Sequence, residues 1–343
     1  MNKNHLPMLI SELERRKLPP GEHIVAEERN GVIEALHRAH IAVVDRDGNL
    51  RYSSGDPHLV TFTRSCIKPI QALPVLYMGA SDRYGFTEEE IAMIAASHSG
   101  EERHTTIIGN LMEKIGITEN DLKCGGHEPF HKETARSLKG SFTKIHDNCS
   151  GKHTGALALC KHMGWPLDTY TDLDHPLTLE IVKLISELSN MKPGNVLLGK
   201  DGCSIPNFAI PISEMAMLFA ILMDPGGRPH EEWIERMRDV FSSNPYLIAG
   251  TGRFDTVLMT EFPGRVVSKA GAQGLQTMAV RTGGTWLGIT IKIEDGSYPA
   301  AEVLSKHILR EMGVMDREVT KDVRTRAKER VGSVRAFGKL KEI

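Results

Sequence analysis

Thr63-Arg64-Ser65-Cys66-Ile67-Lys68-Pro69-Ile70-Gln71 is the stretch on which the fold turns. Leu59-Val60-Thr61-Phe62 before it is strand-like, and an apolar helix opens behind it, so Ser65 stands at a strand-to-helix junction. Residues three apart on a helix share a face, with Cβ atoms ~5–6 Å apart. A neutral Lys68 amine could therefore take the Ser65 hydroxyl proton. Free amides and the helix dipole at that position favour developing negative charge. The plainer alternative is that Ser65 only caps the helix.

Ser-x-x-Lys is the nucleophile device of serine β-lactamases and penicillin-binding proteins, but a tetrad alone is weak. Two more exist here, Ser141 to Lys144 and Ser189 to Lys192. The first lies in a stretch without helical periodicity. The second ends a helix shortly before Pro193, so neither offers its hydroxyl at a helix start. Ser268-Lys269-Ala270-Gly271 resembles the Lys-Thr-Gly strand that faces such a serine. Lys269 near Lys68 would lower the pKa of one amine by like-charge repulsion and desolvation. The alternative is an exposed lysine at a strand end.

Outward from this core, His40 to Ser53 reads as a hairpin around Arg46-Asp47-Gly48-Asn49. From about Cys66 to Asp224 the pattern is mostly helical: Ile91 to Ala96, opened by a Thr87–Glu90 capping box, then Glu102 to Ile115, Thr154 to His162, Pro176 to Ser189 and Ser213 to Leu222. Alternation returns after Gly250, with strands Arg265 to Ser268 and Trp286 to Ile293 and a helix Ala300 to Met312. Strands at both ends with helices between predict one α+β domain over 21–343. In it an antiparallel sheet of N- and C-terminal segments carries an inserted helical lobe, about 66–224. Residues 1–20 read as an extension outside the core. Gly194 to Pro211 reads as a long loop, of a kind that is often functional.

With 40% hydrophobic and 25% charged residues the chain is an ordinary globular one, and its net charge of −2 supplies no field for nucleic acid. Nine Lys/Arg against five Asp/Glu over 316–343 read as a solvated face or frayed tail. Five cysteines without a C-x-x-C pair imply a reducing compartment. Charges from Glu12 to Lys17 oppose a secretory core, and no long apolar run predicts a membrane span, so a cytoplasmic location is expected. His127-Glu128-Pro129-Phe130-His131 spells H-E-x-x-H, but Pro129 opposes the helix that motif needs. Gly151-Lys152 is no phosphate loop, since His153 stands where Ser or Thr belongs. Cys149, Lys152 and Cys203 could hold a metal through soft ligands, or be buried structural groups.

Ser97-His98-Ser99-Gly100, Asn148-Cys149-Ser150-Gly151-Lys152-His153, Asp201-Gly202-Cys203-Ser204-Ile205-Pro206 and Lys269-Ala270-Gly271-Ala272-Gln273-Gly274 follow the Ser65 stretch in order. Over about residues 22–340 the set resembles the rhizobial-type asparaginase II family. That resemblance implies a serine β-lactamase-like fold, a homodimer, and hydrolysis of L-asparagine to L-aspartate and ammonia without an organic cofactor. It further implies two Ser–Lys pairs, Ser65 with Lys68 and Ser97 with Lys269. It places a zinc that is not required for forming the nucleophile on Cys149, Lys152 and Cys203, with Arg64, His153 and Asp201 near the amino-acid head group. The rival expectations are a penicillin-interacting hydrolase and a catalytically silent amino-acid-binding protein.

Overall fold

Val32–Asp45 changes character half-way along: residues up to Arg38 alternate between half-buried and exposed, whereas Ile41 to Val44 are all buried. A strand with that pattern is covered on one face at first and on both later. In the computed structural model, which describes residues 9–15 and 21–343, this strand is the hinge of the main sheet. In chain order the strands are β1 (His23–Arg29), β2 (Val32–Asp45), β3 (Leu50–Ser54), β4 (Val60–Phe62), β5 (Leu197–Lys200), β6 (Pro206–Pro211), β7 (Val266–Gly271), β8 (Leu275–Thr282), β9 (Thr285–Ile293), β10 (Thr320–Arg324), β11 (Arg330–Gly338) and β12 (Lys341–Glu342).

The main sheet runs β10-β11-β1-β2-β9-β8-β7, with β3 on β2 and β12 on β3, and every pairing is antiparallel. Ile41 and Val43 join one apolar cluster with Ile289, Ile291 and the helix Tyr298–Glu311. Their neighbours Ala42 and Val44 join the other, with the helix Ile212–Met223 and most of the helical lobe. The expected architecture, N- and C-terminal strands in one sheet with helices inserted between, is what the chain adopts. Among the described residues no helix is long and apolar enough to cross a membrane.

Several helices fall where periodicity put them: Glu102–Ile115, Pro176–Leu188, Ile212–Met223, and Glu88–Ile94 with its Thr87–Glu90 capping box. Others differ. The helix expected from Thr154 begins at Ser150, which brings the polar 150–153 segment into its first turn. The expected loop Gly194 to Pro211 holds β5 and β6, which with β4 make a second sheet in the order β4-β6-β5. Phe208 and Ile210 are fully buried there, and the two prolines sit at the ends of β6, where a missing amide costs least.

The basic stretch after Asp316 is not a frayed tail. It forms β10, β11 and β12, and β11 pairs with β1 at seven positions and with β10 on its other side. Of the N-terminal extension, only 9–15 lies within the described residues. The helix Ile10–Arg15 buries Leu13 at 2% exposure, although Leu13 joins neither of the two apolar clusters.

Candidate active site

Ser65 belongs to a 3-10 turn, Arg64–Ile67, that runs into the helix Lys68–Tyr77. Arg64, just before it, has φ of 46°, a left-handed conformation that a side chain adopts only when its surroundings hold it there. Two contacts do so. The Arg64 amide donates to Asn207 Oδ1 at 3.1 Å, and its Nε donates to Asp201 Oδ1 at 2.7 Å. Thr63 Oγ1 donates to the same Asn207 oxygen. Strand β6 thus fixes the backbone from which the Ser65 side chain projects.

Lys68 is fully buried on the first turn of its helix, and its Nζ donates to Ala96 O at 2.6 Å and Asn148 O at 3.0 Å. Lys269 is equally buried on β7, the last strand of the main sheet, and its Nζ donates to Ser97 Oγ at 2.7 Å and Ala270 O at 3.0 Å. The two amines therefore meet around Ser97, one at the carbonyl before it and one at its hydroxyl. Burial, reinforced by the nearby Lys68 charge and opposed by Asp255, pushes the Lys269 amine down to about 7. Ser65 and Ser97 open into one cleft of about 440 Å3, shared with Phe130, Asn148, Arg253, Ala270, Gly271, Ala272 and Tyr298.

A second cluster forms at the start of the helix Ser150–Met163. Lys152 Nζ lies 3.3 Å from Cys203 Sγ and 4.0 Å from Asp201 Oδ2. Cys149 Sγ donates to Asn148 Oδ1 at 3.4 Å; the interaction between the two thiols, with the Lys152 ammonium facing both, divides the titration of the pair: Cys203 is pushed down to about 5 and Cys149 up to about 12. Burial opposes a charge on Lys152, yet the thiols and Asp201 outweigh it and hold that amine above its ordinary range. A ready thiolate, a second thiol beside it and an adjacent amine form a donor set that suits zinc, provided the metal displaces the protons of Lys152 and Cys149. His153 is buried beside it with Nδ1 on Tyr170 OH at 2.7 Å. Its Nε2 has no partner, and burial lowers its pKa to about 3. Arg64 and Asp201 are engaged with each other rather than lining the Ser65 cleft.

His127–His131 is not helical, and the His127 ring packs on Phe130 while its Nε2 accepts from the Asn148 amide at 3.0 Å. The remaining His, Cys, Asp or Glu trio compact enough for a metal among the described residues, His23, His307 and Glu311, is remote in sequence from both clusters. It is internally hydrogen-bonded, His23 Nε2 lying 3.0 Å from Glu311 Oε2.

Sequence reasoning passed over Asp255 and Arg253. Asp255 is buried and accepts from Ser268 Oγ at 2.7 Å, Ala270 N at 2.8 Å and Gln276 Nε2 at 2.9 Å, so it clamps β7 on both sides of Lys269. The signal was present in Gly250-Thr251-Gly252-Arg253-Phe254-Asp255, a glycine-bearing turn that leads into a short helix with opposite charges at its start.

Solved structures similar to this chain include a probable glutaminase from Bacillus subtilis complexed with 6-diazo-5-oxo-L-norleucine, at 17% identity and a TM-score of 0.39 over 81% of this chain and 85% of that one. A β-lactamase from Sphaerobacter thermophilus matches at 12% identity and a TM-score of 0.42 over 82% and 94%. Penicillin-binding protein 5 from Haemophilus influenzae matches at 12% and 0.35 over 95% and 84%. No curated protein matches the sequence. The family model for L-asparaginase II, by contrast, matches residues 25–341, which takes in Ser65, Lys68, Ser97, Lys269, the thiol cluster and the closing strands: the chain belongs to the L-asparaginase II family.

Proposed function

We propose that this amidohydrolase is an L-asparaginase, releasing ammonia from the side-chain amide of L-asparagine through an ester on Ser65. The observation that supports it most is the buried Lys269 amine, pushed to about 7 and held on Ser97 in the cleft that Ser65 shares. An amine poised near neutral pH can both accept and return a proton, which amide hydrolysis requires twice.

In this mechanism Ser65 Oγ bonds to the side-chain carbonyl carbon while its proton passes to Lys68 Nζ. Two N–H bonds of Lys68 point at Ala96 O and Asn148 O, which leaves one position of the amine for that proton. Collapse of the tetrahedral intermediate breaks the carbon–nitrogen bond, and the departing nitrogen takes a proton relayed by Ser97 and leaves as ammonia. Water then adds to the β-aspartyl ester and gives up a proton to the amines. Ser65 is expelled and reprotonated, and aspartate is released. The amides of Ser65 and of the backbone after Lys269 would hold the oxyanion, each worth ~3 kcal/mol.

Cys149, Lys152 and Cys203 would hold zinc, which when bound supplies a fixed positive centre for positioning substrate. A homodimer acting on a free amino acid in the cytoplasm completes the reading, and sedimentation of the purified chain checks the dimer.

Ammonia release from asparagine and from glutamine, with and without chelator, tests the activity. Ser65→Ala is expected to lower turnover at least a thousandfold (roughly 4 kcal/mol of barrier) with an unchanged melting curve, and Lys68→Met to do comparable damage. Near-normal turnover in Ser65→Ala would place the nucleophile elsewhere. Covalent labelling of Ser65 by a β-lactam without ammonia release would favour a penicillin-interacting enzyme, and asparagine binding without turnover a silent receptor.

A further inference from the structure

Four cations stand at or beside the Ser65 cleft, and three of them are engaged. Lys68 donates to two carbonyls, Lys269 to Ser97 and Ala270, and Arg64 is paired with Asp201 at 2.7 Å. Arg253 is the exception. It lines the cleft, yet its Nη1 is buried without a hydrogen-bond partner, and no carboxylate pairs with it among the described residues. A buried guanidinium donor left unmatched is costly, and proteins retain such groups where a ligand supplies the acceptor.

Its position is also held firmly. The guanidinium carbon sits 4.7 Å above the centre of the Phe130 ring, a cation–π stack that fixes the plane of the fork. Arg253 immediately precedes the helix Phe254–Glu261, and Asp255 in that helix's first turn is bonded to Ser268 and Ala270 on either side of Lys269. The fork is thereby tied to the strand that carries the Lys269 amine. A planar guanidinium matches a carboxylate with two parallel hydrogen bonds, better than a lysine would.

We propose that Arg253, not Arg64, is the residue that binds the free carboxylate of the substrate, and so restricts this cleft to amides that carry an unblocked carboxylate. The inference rests on the amidohydrolase reading above, and its test separates the two. Ammonia release is measured on L-asparagine and on asparagine α-amide, which lacks the carboxylate, for the wild-type protein and for Arg253→Met, Arg253→Gln and Arg253→Lys.

The wild type is expected to prefer asparagine strongly in kcat/KM. In Arg253→Met and Arg253→Gln that preference should shrink by about tenfold to a hundredfold, mainly through KM, as loss of a charge-assisted bond implies. Arg253→Lys should restore part of it. An unchanged preference in any folded Met or Gln variant overturns the assignment while leaving the hydrolase intact. If the wild type releases no ammonia from either compound, the asparaginase reading fails. Calorimetric titration with L-aspartate then decides Arg253: binding lost in Arg253→Met supports it, whereas binding unchanged, or absent from the wild type, overturns it.

Discussion

At the scale of single residues the site is governed by what surrounds Lys269. Burial lowers its pKa, Asp255 opposes the drop, and Lys68 and Arg253 add to it. If Lys269 must be neutral for turnover, kcat/KM rises with pH along a limb centred near 7. Asp255→Asn removes the opposing negative charge, so the limb should move to lower pH. An amide offers one acceptor oxygen where the carboxylate offered two, so that variant should also lose about 1–3 kcal/mol in urea denaturation. A limb that stays in place or moves upward in Asp255→Asn would contradict this account. Ser65, Lys68 and Lys269 drew attention in the sequence through their spacing and neighbours, although Ser65 stands in a 3-10 turn ahead of its helix and Lys269 lies inside β7 rather than at a strand end. Asp255 and Arg253 did not, because their roles arise from contacts with β7 and Phe130 that no local pattern encodes.

At the scale of elements, close backbone approach sets where the thiol cluster sits. Gly151 lies between Cys149 and Lys152, and a Cβ there would stand 2.2 Å from Met93 O in the helix Glu88–Ile94. Gly151→Ala must push the two helices apart, and overpacking of this kind costs about 1–3 kcal/mol. Its denaturation midpoint should fall. Turnover should fall as well, since Asn148 beside it receives the Lys68 amine. A variant of unchanged stability would mean that the helices slide past each other freely.

Helices such as Glu102–Ile115 were readable because their apolar stripe is long and regular. Strands β1, β5, β6, β10 and β11 were not, because glycine, proline or charge breaks their alternation; β10 and β5 pair with their chain neighbours β11 and β6, and the pairing of β1 with β11 joins the two ends of the chain. For β11 the partner lies three hundred residues away, beyond any window of local pattern.

Across the molecule, buried histidines tie stability to acidity. His98 and His104 pack with ring centroids 5.3 Å apart; burial lowers both below 6.5, reinforced at His98 by neighbouring cations and opposed at His104 by the Tyr246 carbonyl and Glu101. His98 faces Ser150, Lys68, His127 and His146, while His104 faces Tyr246 O, Glu101, Arg103 and His131. Below pH 6.5 the unfolded chain binds protons that the native rings refuse, so native stability is present above that pH and declines as pH falls through it. Urea midpoints measured from pH 7.5 to 5 should drop, and less so in His98→Gln. A flat profile would show that these rings accept protons in place.

The fold also bears on how the protein comes into being. Arg64, which precedes Ser65, takes its backbone from Asn207, 143 positions later, and the Lys269 amine on Ser97 arrives only with β7, 172 positions after that serine. A nascent chain emerging from the ribosome therefore carries Ser65 and Ser97 long before it carries the residues that hold them in place. The cleft shared by Ser65 and Ser97 is thus one of the last features of the molecule to be completed during synthesis.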